Sequence, residues 1–374
     1  MGHRELSLIS RSIRLPLVSI IVVNYNGEKF IEQCISSILK SKYPFFELIV
    51  IDNASTDKSR EILQEKFGDD NRLRIIINKT NVGFAEANNI GVAKSRGKYL
   101  AFVNNDTEVD PYWLSELIRV AESDLTIGAC QSKLVIMGTD LLDGTGDFIT
   151  ENGISFIRSH RIRNSPDHIN AEIFSARAAA MLVRKKIFTA VGGFDPDYFI
   201  GYEDVDLGWR IRLLGYKVVF VPTSIVYHIG RASTSRKRDL ESFHVHKNCM
   251  MTLIKNYGLI NVLLRLPANM MLRLCLSLSP FEETRDISAV GLTGIKAILW
   301  VLLKFPEIWE KHMWVQSNIR KVSERQIKQL MLDSRFEVDL LRYFLFLRKK
   351  YKFWPYLSQL IDIHQKHLSL KVIE

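Results

Sequence analysis

The sequence holds no C-x-x-C pair, no glycine-rich nucleotide loop and no long apolar run, and each absence argues against a class of protein. Cys34, Cys130, Cys249 and Cys275 are scattered over 374 residues. That spacing suits neither a zinc ribbon nor a disulfide framework, and leaves buried thiols in a reducing cytoplasm as the simpler reading. No window reaches the ~18 uninterrupted apolar residues that a membrane-spanning helix needs. The nearest approach, Ile287 to Phe305, is interrupted by Lys296 and Lys304. Met1 to Leu15 carries Arg4, Arg11 and Arg14 without an apolar core, so it reads as an N-terminal extension and not as a secretory signal. The absence of G-x-G-x-x-G after the first strand argues against a dinucleotide-binding dehydrogenase, and the absence of G-x-x-x-x-G-K-[ST] against a P-loop enzyme.

What is present is an ordinary folded composition, 47% hydrophobic and 25% charged, with a net charge of +10. That excess calls for an anionic partner: nucleic acid, anionic lipid or a phosphorylated small molecule. The basic residues are dispersed except for Arg231 to Arg238, and no nucleic-acid module appears, so nucleic acid is not expected. The short basic segment is better suited to a diphosphate or an acceptor phosphate.

Apolar β-branched runs alternate with runs of helical spacing. Strands are predicted at Leu17 to Val23, Phe46 to Ile51, Leu73 to Ile77 and Tyr99 to Val103, with helices at Phe30 to Lys40, Ser59 to Phe67 and Phe84 to Ser95 between them. This β-α-β-α-β-α-β order implies a mainly parallel, doubly wound sheet, whose ligands bind beyond the carboxyl ends of its strands. Ile127 to Ser175, rich in Gly, Asp and Asn, reads as strands and long loops over the site. Further on, a strand is expected at Ala178 to Arg184, helices at Lys185 to Val191 and Glu203 to Leu214, and strands at Lys217 to Val221 and Ser224 to Tyr227. A composition break near Arg231 to Asp239 divides an α/β region, 16–240, from a helical region, 241–374.

Polar residues cluster where a doubly wound sheet would use them. Asn24, Asp52 and Asn53 follow successive strands and can hydrogen-bond a base edge and ribose hydroxyls, although each alone is also an ordinary loop-capping residue. Asn104-Asn105-Asp106 follows the fourth strand. Asp106 there offers a hard divalent cation a carboxylate, or else it or Thr107 caps a helix starting near Pro111. Glu203 and Asp204 open a helix behind a Gly- and aromatic-rich segment, Gly192 to Tyr202. Asp206 and Arg210 stand four apart and should form a structural ion pair. His228, read alone, is an ordinary structural histidine.

Taken in order, Val18-Ser-Ile-Ile-Val-Val-Asn-Tyr-Asn-Gly27, Ile51-Asp-Asn-Ala-Ser-Thr-Asp57, Asn81-Val-Gly-Phe-Ala-Glu-Ala-Asn-Asn-Ile-Gly91, Phe102-Val-Asn-Asn-Asp106, Gly192-Gly-Phe-Asp195, Tyr202-Glu-Asp-Val-Asp-Leu207 and His228 resemble the family 2 inverting glycosyltransferases. The likeness spans roughly residues 16 to 235 and leans toward rhamnosyltransferase-like enzymes of bacterial cell-surface polysaccharide synthesis. It implies a GT-A type, Rossmann-like fold with a mostly parallel sheet, here followed by a helical extension. It implies a dTDP- or UDP-sugar donor, a saccharide or lipid-linked acceptor and a divalent metal, Mg²⁺ or Mn²⁺. Position by position, Asn24, Asn26, Asp52 and Asn81 resemble donor contacts. Asn104, Asn105 and Asp106 occupy the place of the metal-binding D-x-D signature, with Asp106 as metal ligand and Asn104 as the departure from it. His228 resembles a second metal ligand, Asp204 the catalytic base, and Glu203 lies beside it. A nucleotidyltransferase would carry a Gly-, Arg- and Lys-containing loop where Asn24 to Glu28 stands, whereas an inactive scaffold of the same fold stays open because of Asn104.

Beyond residue 240 the segments Leu259 to Ser279 and Leu292 to Trp314 read as amphipathic helices with Arg265, Arg273, Lys296, Lys304 and Lys311 among their apolar residues. Such helices either lie on an anionic membrane, here the inner face of the cell membrane, or pack against the catalytic domain.

Overall fold

In the computed structural model the described residues are 15–164, 169–229, 238–278, 287–343, 356–357 and 360. Its strands and helices fall in the expected alternation. The chain begins β1 (Val18–Asn24), α1 (Ile31–Leu39), β2 (Phe46–Asp52), α2 (Ser59–Phe67), β3 (Leu73–Ile77), α3 (Gly83–Ala93), β4 (Tyr99–Asn104), β5 (Thr107–Val109) and α4 (Trp113–Ser123). Next come β6 (Ile127–Ile136), β7 (Leu142–Gly144), β8 (Asp147–Ile149), β9 (Ser155–Ile157), β10 (Ala171–Glu172), β11 (Ala180–Arg184), α5 (Lys185–Ala190), α6 (Glu203–Leu213) and β12 (Lys217–His228). The helical region follows as α7 (Arg238–Asn256), α8 (Leu259–Leu278), α9 (Ile287–Leu303), α10 (Phe305–Trp314), α11 (Glu324–Lys328) and α12 (Ser334–Arg342).

The central sheet runs β10-β12-β6-β11-β4-β1-β2-β3, with β5 against β12 and β7 against β6. It is the mostly parallel α/β sheet expected: β3, β2, β1 and β4 run parallel, as do β6 and β12, and β11 lies antiparallel between β4 and β6. Side-chain alternation along each strand sends neighbours to opposite faces. Val18, Ile20 and Val22 pack with Cys34 and Ile35 of α1 and Trp113 and Leu117 of α4. Ile21, Leu100 and Phe102 face the other way, against Phe188 of α5 and Trp209 of α6. Asn24 lies in register with Asp52, and Val23 with Asn104, so the polar strand ends finish at one level.

Several local expectations are corrected. Within Ile127 to Ser175, read as strands and long loops over the site, Ile127–Ile136 is one long internal strand, because its residues up to Val135 are buried by partners on both edges. Lys217–His228 is one strand with a register shift between Val221 and Ile225, where two strands were expected. Neither Asp106 nor Thr107 caps a helix: Thr107 enters β5, and α4 starts at Trp113 with no side-chain cap. Met1 to Arg14 and most of the basic run Arg231 to Arg238 lie outside the described residues.

The C-terminal helices share the core of the α/β region. Met250, Leu253 and Ile254 of α7, Ala297 and Val301 of α9 and Ile308 of α10 join one apolar cluster with Phe102, Phe194 and Trp209. α7 is polar in sequence yet deeply set, with His246, Lys247, Asn248, Lys255 and Asn256 all buried. Burying such groups demands partners, and the segment before α6 supplies them. Asn248 donates to the carbonyls of Tyr198, Ile200 and Gly201. Lys255 bridges Asp195 at 2.7 Å and Asp206 at 3.0 Å, and Lys311 of α10 bridges Asp195 and Asp197 at 2.6 Å each. Asp206 also takes the expected ion pair with Arg210, at 2.6 Å.

Of the cations singled out in the helical region, Lys296 and Lys304 are exposed and the other three are engaged internally. Arg265 pairs with Glu151, Arg273 is buried against Tyr202 and His246, and Lys311 points into the core side. Apolar side chains are exposed as well: Ile260, Leu263, Leu264 and Met271 of α8, and Leu292, Leu299 and Leu303 of α9.

Removing Lys255 leaves Asp195 and Asp206 short of a buried countercharge. Lys255→Met should therefore lower stability by about 3 kcal/mol, the low end for breaking a buried pair because Arg210 and Lys311 remain. A urea melt measures this, and a loss under about 1 kcal/mol would show that the clamp is not holding the loop.

Candidate functional site

The donor-side residues of the sequence analysis come together as one amide network. Asn24 donates to Asp52 at 3.2 Å and to Ser55 Oγ at 3.1 Å, and accepts from Asn105 at 2.9 Å. Asp52, wholly buried, also accepts from Arg60 Nε at 2.6 Å and from the Ser55 N–H at 3.1 Å. Asn53 donates to Asn81 Oδ1 at 2.9 Å and accepts from Asn78 and the Val82 N–H, so it ties the end of β2 to the loop before α3. A Cβ at Gly27 would overlap both Asn24 and Asn105, which is why glycine starts this turn. Asn26 and Asn81 are exposed, Asn104 is half-buried, and Asn24, Asp52, Asn53 and Asn105 lie beneath. The buried members thus set the floor, and the exposed ones its rim.

Beside this floor stands a line of charged groups. Asp106 Oδ1 is 3.1 Å from His228 Nε2, and Asn104 Nδ2 is 3.4 Å from the same nitrogen. His228 Nδ1 is 2.8 Å from Asp143 Oδ2, which also accepts from Arg177 Nη1 at 3.0 Å. Burial works against charge on His228, but hydrogen bonds to Asp106 and Asp143 outweigh it and push the imidazole up to about 9. Burial likewise works against charge on Asp143, yet His228 and Arg177 hold its carboxyl well below the usual range.

The acidic helix start meets the same backbone segment as the end of β4. Asp204 Oδ2 accepts from the Ala178 N–H at 3.4 Å, and the next residue's carbonyl, Ala179 O, accepts from the Asn104 N–H at 3.1 Å. Tyr202, just before α6, adopts φ 69°, and Phe199 φ 59°. Both are left-handed conformations that non-glycine residues rarely take. They are held by packing: Phe84 N–H donates to Phe199 O at 2.6 Å, and Tyr202 Oη accepts from the Ser155 N–H at 3.0 Å. A side chain on Gly83 would strike the Phe199 ring.

Burial raises the pKa of Asp204, opposed chiefly by Arg177. Burial and the charge of Asp204 push Glu203 up to about 8, and among the described residues its Oε2 has no hydrogen-bond partner. Asp147, which the sequence analysis did not single out, is raised for the same reasons. Asp143, Asp147 and Arg177 all escaped that analysis. Nothing in their local sequence distinguishes them from surface polar residues, and only the fold brings them to His228 and Asp204.

Among the described residues no group of three or more His, Cys, Asp or Glu side chains forms a cation cage. Asp106 and His228 nevertheless suit a Mg²⁺- or Mn²⁺-type ion. Such ions take one or two protein ligands and complete their shell with phosphate and water. The 3.1 Å between Oδ1 and Nε2 is about the spacing of adjacent ligands on an octahedral ion with bonds near ~2.1 Å.

The family model described as Glycosyl transferase family 2 matches residues 19–188. An uncharacterized glycosyltransferase of Haemophilus influenzae is 32% identical over 247 residues, covering 62% of this chain and 75% of that protein. An O-antigen biosynthesis protein, RfbC, of Myxococcus xanthus is 28% identical over 235 residues, covering 60% of this chain but 18% of that protein. The uncharacterized protein y4gI of Sinorhizobium fredii is 30% identical over 227 residues, 58% of this chain and 25% of its own length. The chain therefore spans only a quarter or less of these last two relatives. Among solved structures, GalNAc-T7 with UDP, GalNAc and Mn²⁺ aligns with TM-score 0.54 at 18% identity, covering 80% of this chain and 58% of that one, a likeness of fold. With the motifs on successive strand ends and a three-quarter-length relative of the same type, this chain belongs to glycosyltransferase family 2.

Proposed function

We propose that the protein is an inverting glycosyltransferase of hexosyl type. It would move a sugar, with rhamnose as the favoured candidate, from a dTDP- or UDP-linked donor to a hydroxyl of a saccharide or lipid-linked acceptor in cell-surface polysaccharide synthesis. The observation that carries this reading is the contact line Asp106–His228–Asp143–Arg177, which approaches Asp204 beside the strand-end amides. Support for a UDP-type donor and a divalent ion comes from the ligands named for GalNAc-T7, and support for the pathway from the name of the Myxococcus relative. Rhamnose rests on the subgroup resemblance alone.

In this reading residues 16–240 carry the transfer, and the described helices of the region 241–374 brace it. Asn26 and Asn81 meet the nucleoside, while Asn24, Asp52 and Asn53 hold the floor beneath it. Asn104 and Asn105 lie beside the diphosphate, and Asp106 and His228 would hold Mg²⁺ or Mn²⁺. When bound, the ion supplies positive charge against the negative charge that grows on the departing nucleoside diphosphate. Asp204 accepts the proton of the attacking hydroxyl at its carboxylate. Its raised pKa makes it a stronger base than an ordinary aspartate. Glu203 stays protonated at neutral pH, which leaves the negative charge of the helix start on Asp204. Attack from the face opposite the leaving group inverts the anomeric carbon.

Membrane attachment at the cytoplasmic face belongs to the same proposal. Among the described residues no helix is long and apolar enough to cross a membrane. The exposed stripes Ile260, Leu263, Leu264, Met271 on α8 and Leu292, Leu299, Leu303 on α9 recur at helical spacing and suit an interfacial position. Arg265, Arg273 and Lys311 are engaged internally while Lys296 and Lys304 are exposed, so attraction to an anionic leaflet adds to apolar insertion.

Asp204→Asn should keep donor-induced thermal stabilisation by dTDP- or UDP-sugars with Mg²⁺ and lose about 10²–10⁴-fold in transfer rate. Full transfer by that variant removes Asp204 from the role of base. A second expectation concerns pH. The folded protein holds a proton on Glu203 that the unfolded chain releases, so this group lowers stability as pH rises from roughly 4 to about 8 and adds nothing further above that. Glu203→Gln should therefore melt like the wild type near pH 5 and higher than it near pH 8; parallel melting curves across that window would contradict the buried-acid assignment. For the membrane, the wild type should float with vesicles in a density gradient at high salt, and Leu263→Glu/Leu299→Glu should stay at the bottom. Equal behaviour of the two would refute the apolar face as the anchor.

A further inference from the structure

The carboxylate of Asp143 has a position that the proposed reaction does not by itself explain. It lies on β7, a short strand paired to the far end of β6, and is 7% exposed. Its Oδ2 faces His228 Nδ1 at 2.8 Å, on the side of the ring away from Asp106. Arg177 donates to the same oxygen at 3.0 Å, and His160 Nδ1 lies 2.8 Å from the Asp143 carbonyl oxygen. The residue is therefore anchored through both its side chain and its backbone. Burial opposes the charge on Arg177, but Asp143, Asp147 and Asp204 together outweigh it. The guanidinium thus stands between the acid that faces His228 and the acid that opens α6.

An imidazole that ligates a cation through Nε2 must keep its proton on Nδ1, and the acceptor on Nδ1 decides both tautomer and ring direction. We propose that Asp143 is the positioning residue of the cation site: it accepts the Nδ1–H of His228, turns Nε2 toward Asp106, and is itself held in place by Arg177. The same Arg177 also acts on Asp204 through its charge, so the cation site and Asp204 share one electrostatic neighbour. This inference rests on the assignment of Asp106 and His228 as cation ligands.

The test is Mn²⁺ binding by the full-length protein, followed by calorimetry and by the electron paramagnetic resonance of free Mn²⁺, with no sugar donor present. Asp143→Ala should bind Mn²⁺ about 10–100-fold more weakly than the wild type, and Asp143→Asn, which keeps an oxygen acceptor of the same shape, should fall between them. Raising Mn²⁺ should restore transfer by Asp143→Ala and should not restore it in Asp204→Asn. If the wild type binds no Mn²⁺, the ligand assignment falls and this inference with it. If the wild type binds and Asp143→Ala binds equally well, this inference alone is overturned. Nitrogen-15 spectra of the wild-type histidines give a reading that does not depend on a variant folding. His228 should carry a hydrogen-bonded proton on Nδ1, and a bare Nδ1 would overturn the proposal.

Discussion

Asp106, Asp143, Asp147, Glu203 and Asp204 form one linked cluster with two cationic partners, Arg177 and His228, and most of these groups are buried. Negative charges crowded away from water cannot all persist. The structure resolves the conflict in two ways. Near His228 and Arg177 the carboxylates are hydrogen-bonded in line, and Asp143 is held ionised. Near the start of α6, where Arg177 is the main relief, Glu203 and Asp147 are pushed toward the neutral form. A cluster divided this way has an ionised end at Asp143, Arg177 and His228 and an end at Asp147 and Glu203 where carboxyls are pushed toward the neutral form.

That division depends on backbone held where it would not otherwise stay. The segment from Gly192 to Tyr202 passes through positive φ at Gly192, Gly193, Phe199, Gly201 and Tyr202 before α6 begins. Its strain is offset by contacts from distant parts of the chain. Asn89 of α3 exchanges hydrogen bonds with Phe194, and Asn248 of α7 takes up the carbonyls of Tyr198, Ile200 and Gly201. Lys255 and Lys311 neutralise Asp195, Asp197 and Asp206. The C-terminal helices are thus part of what positions Asp204, although they carry none of the motifs that resemble the family.

Much of this was legible before any coordinates. The first strands and helices follow directly from apolar periodicity, with boundaries shifted by a residue or two where polar strand ends such as Asp52 and Asn104 extend the ladder. The strand ends were correctly read as the place where polar residues gather, and the Asp206–Arg210 pair followed from helical spacing. Less legible was the stretch after Ser123. Its glycines and acids suggested short strands among long loops, and Ile127–Ile136 is instead one long inner strand, because burial by β11 and β12 outweighs a mixed local sequence. Nor did the sequence show that α7 is buried through its polar residues, with Lys255 set against Asp195 and Asp206 beside Arg210 and Lys311.

The sequence by itself determined the alternation of strand and helix, the level at which the parallel strands end, and the identities of the groups presented there, because these follow from neighbouring residues and the backbone periods of 2.0 and 3.6. Only the tertiary structure decided that Asp143 meets His228 across 85 residues and Arg177 across 34, and that Lys255 reaches Asp195 across 60. Those contacts depend on how packed layers bring distant segments together, and a buried charge selects its partner by distance and desolvation, neither of which is written in local sequence.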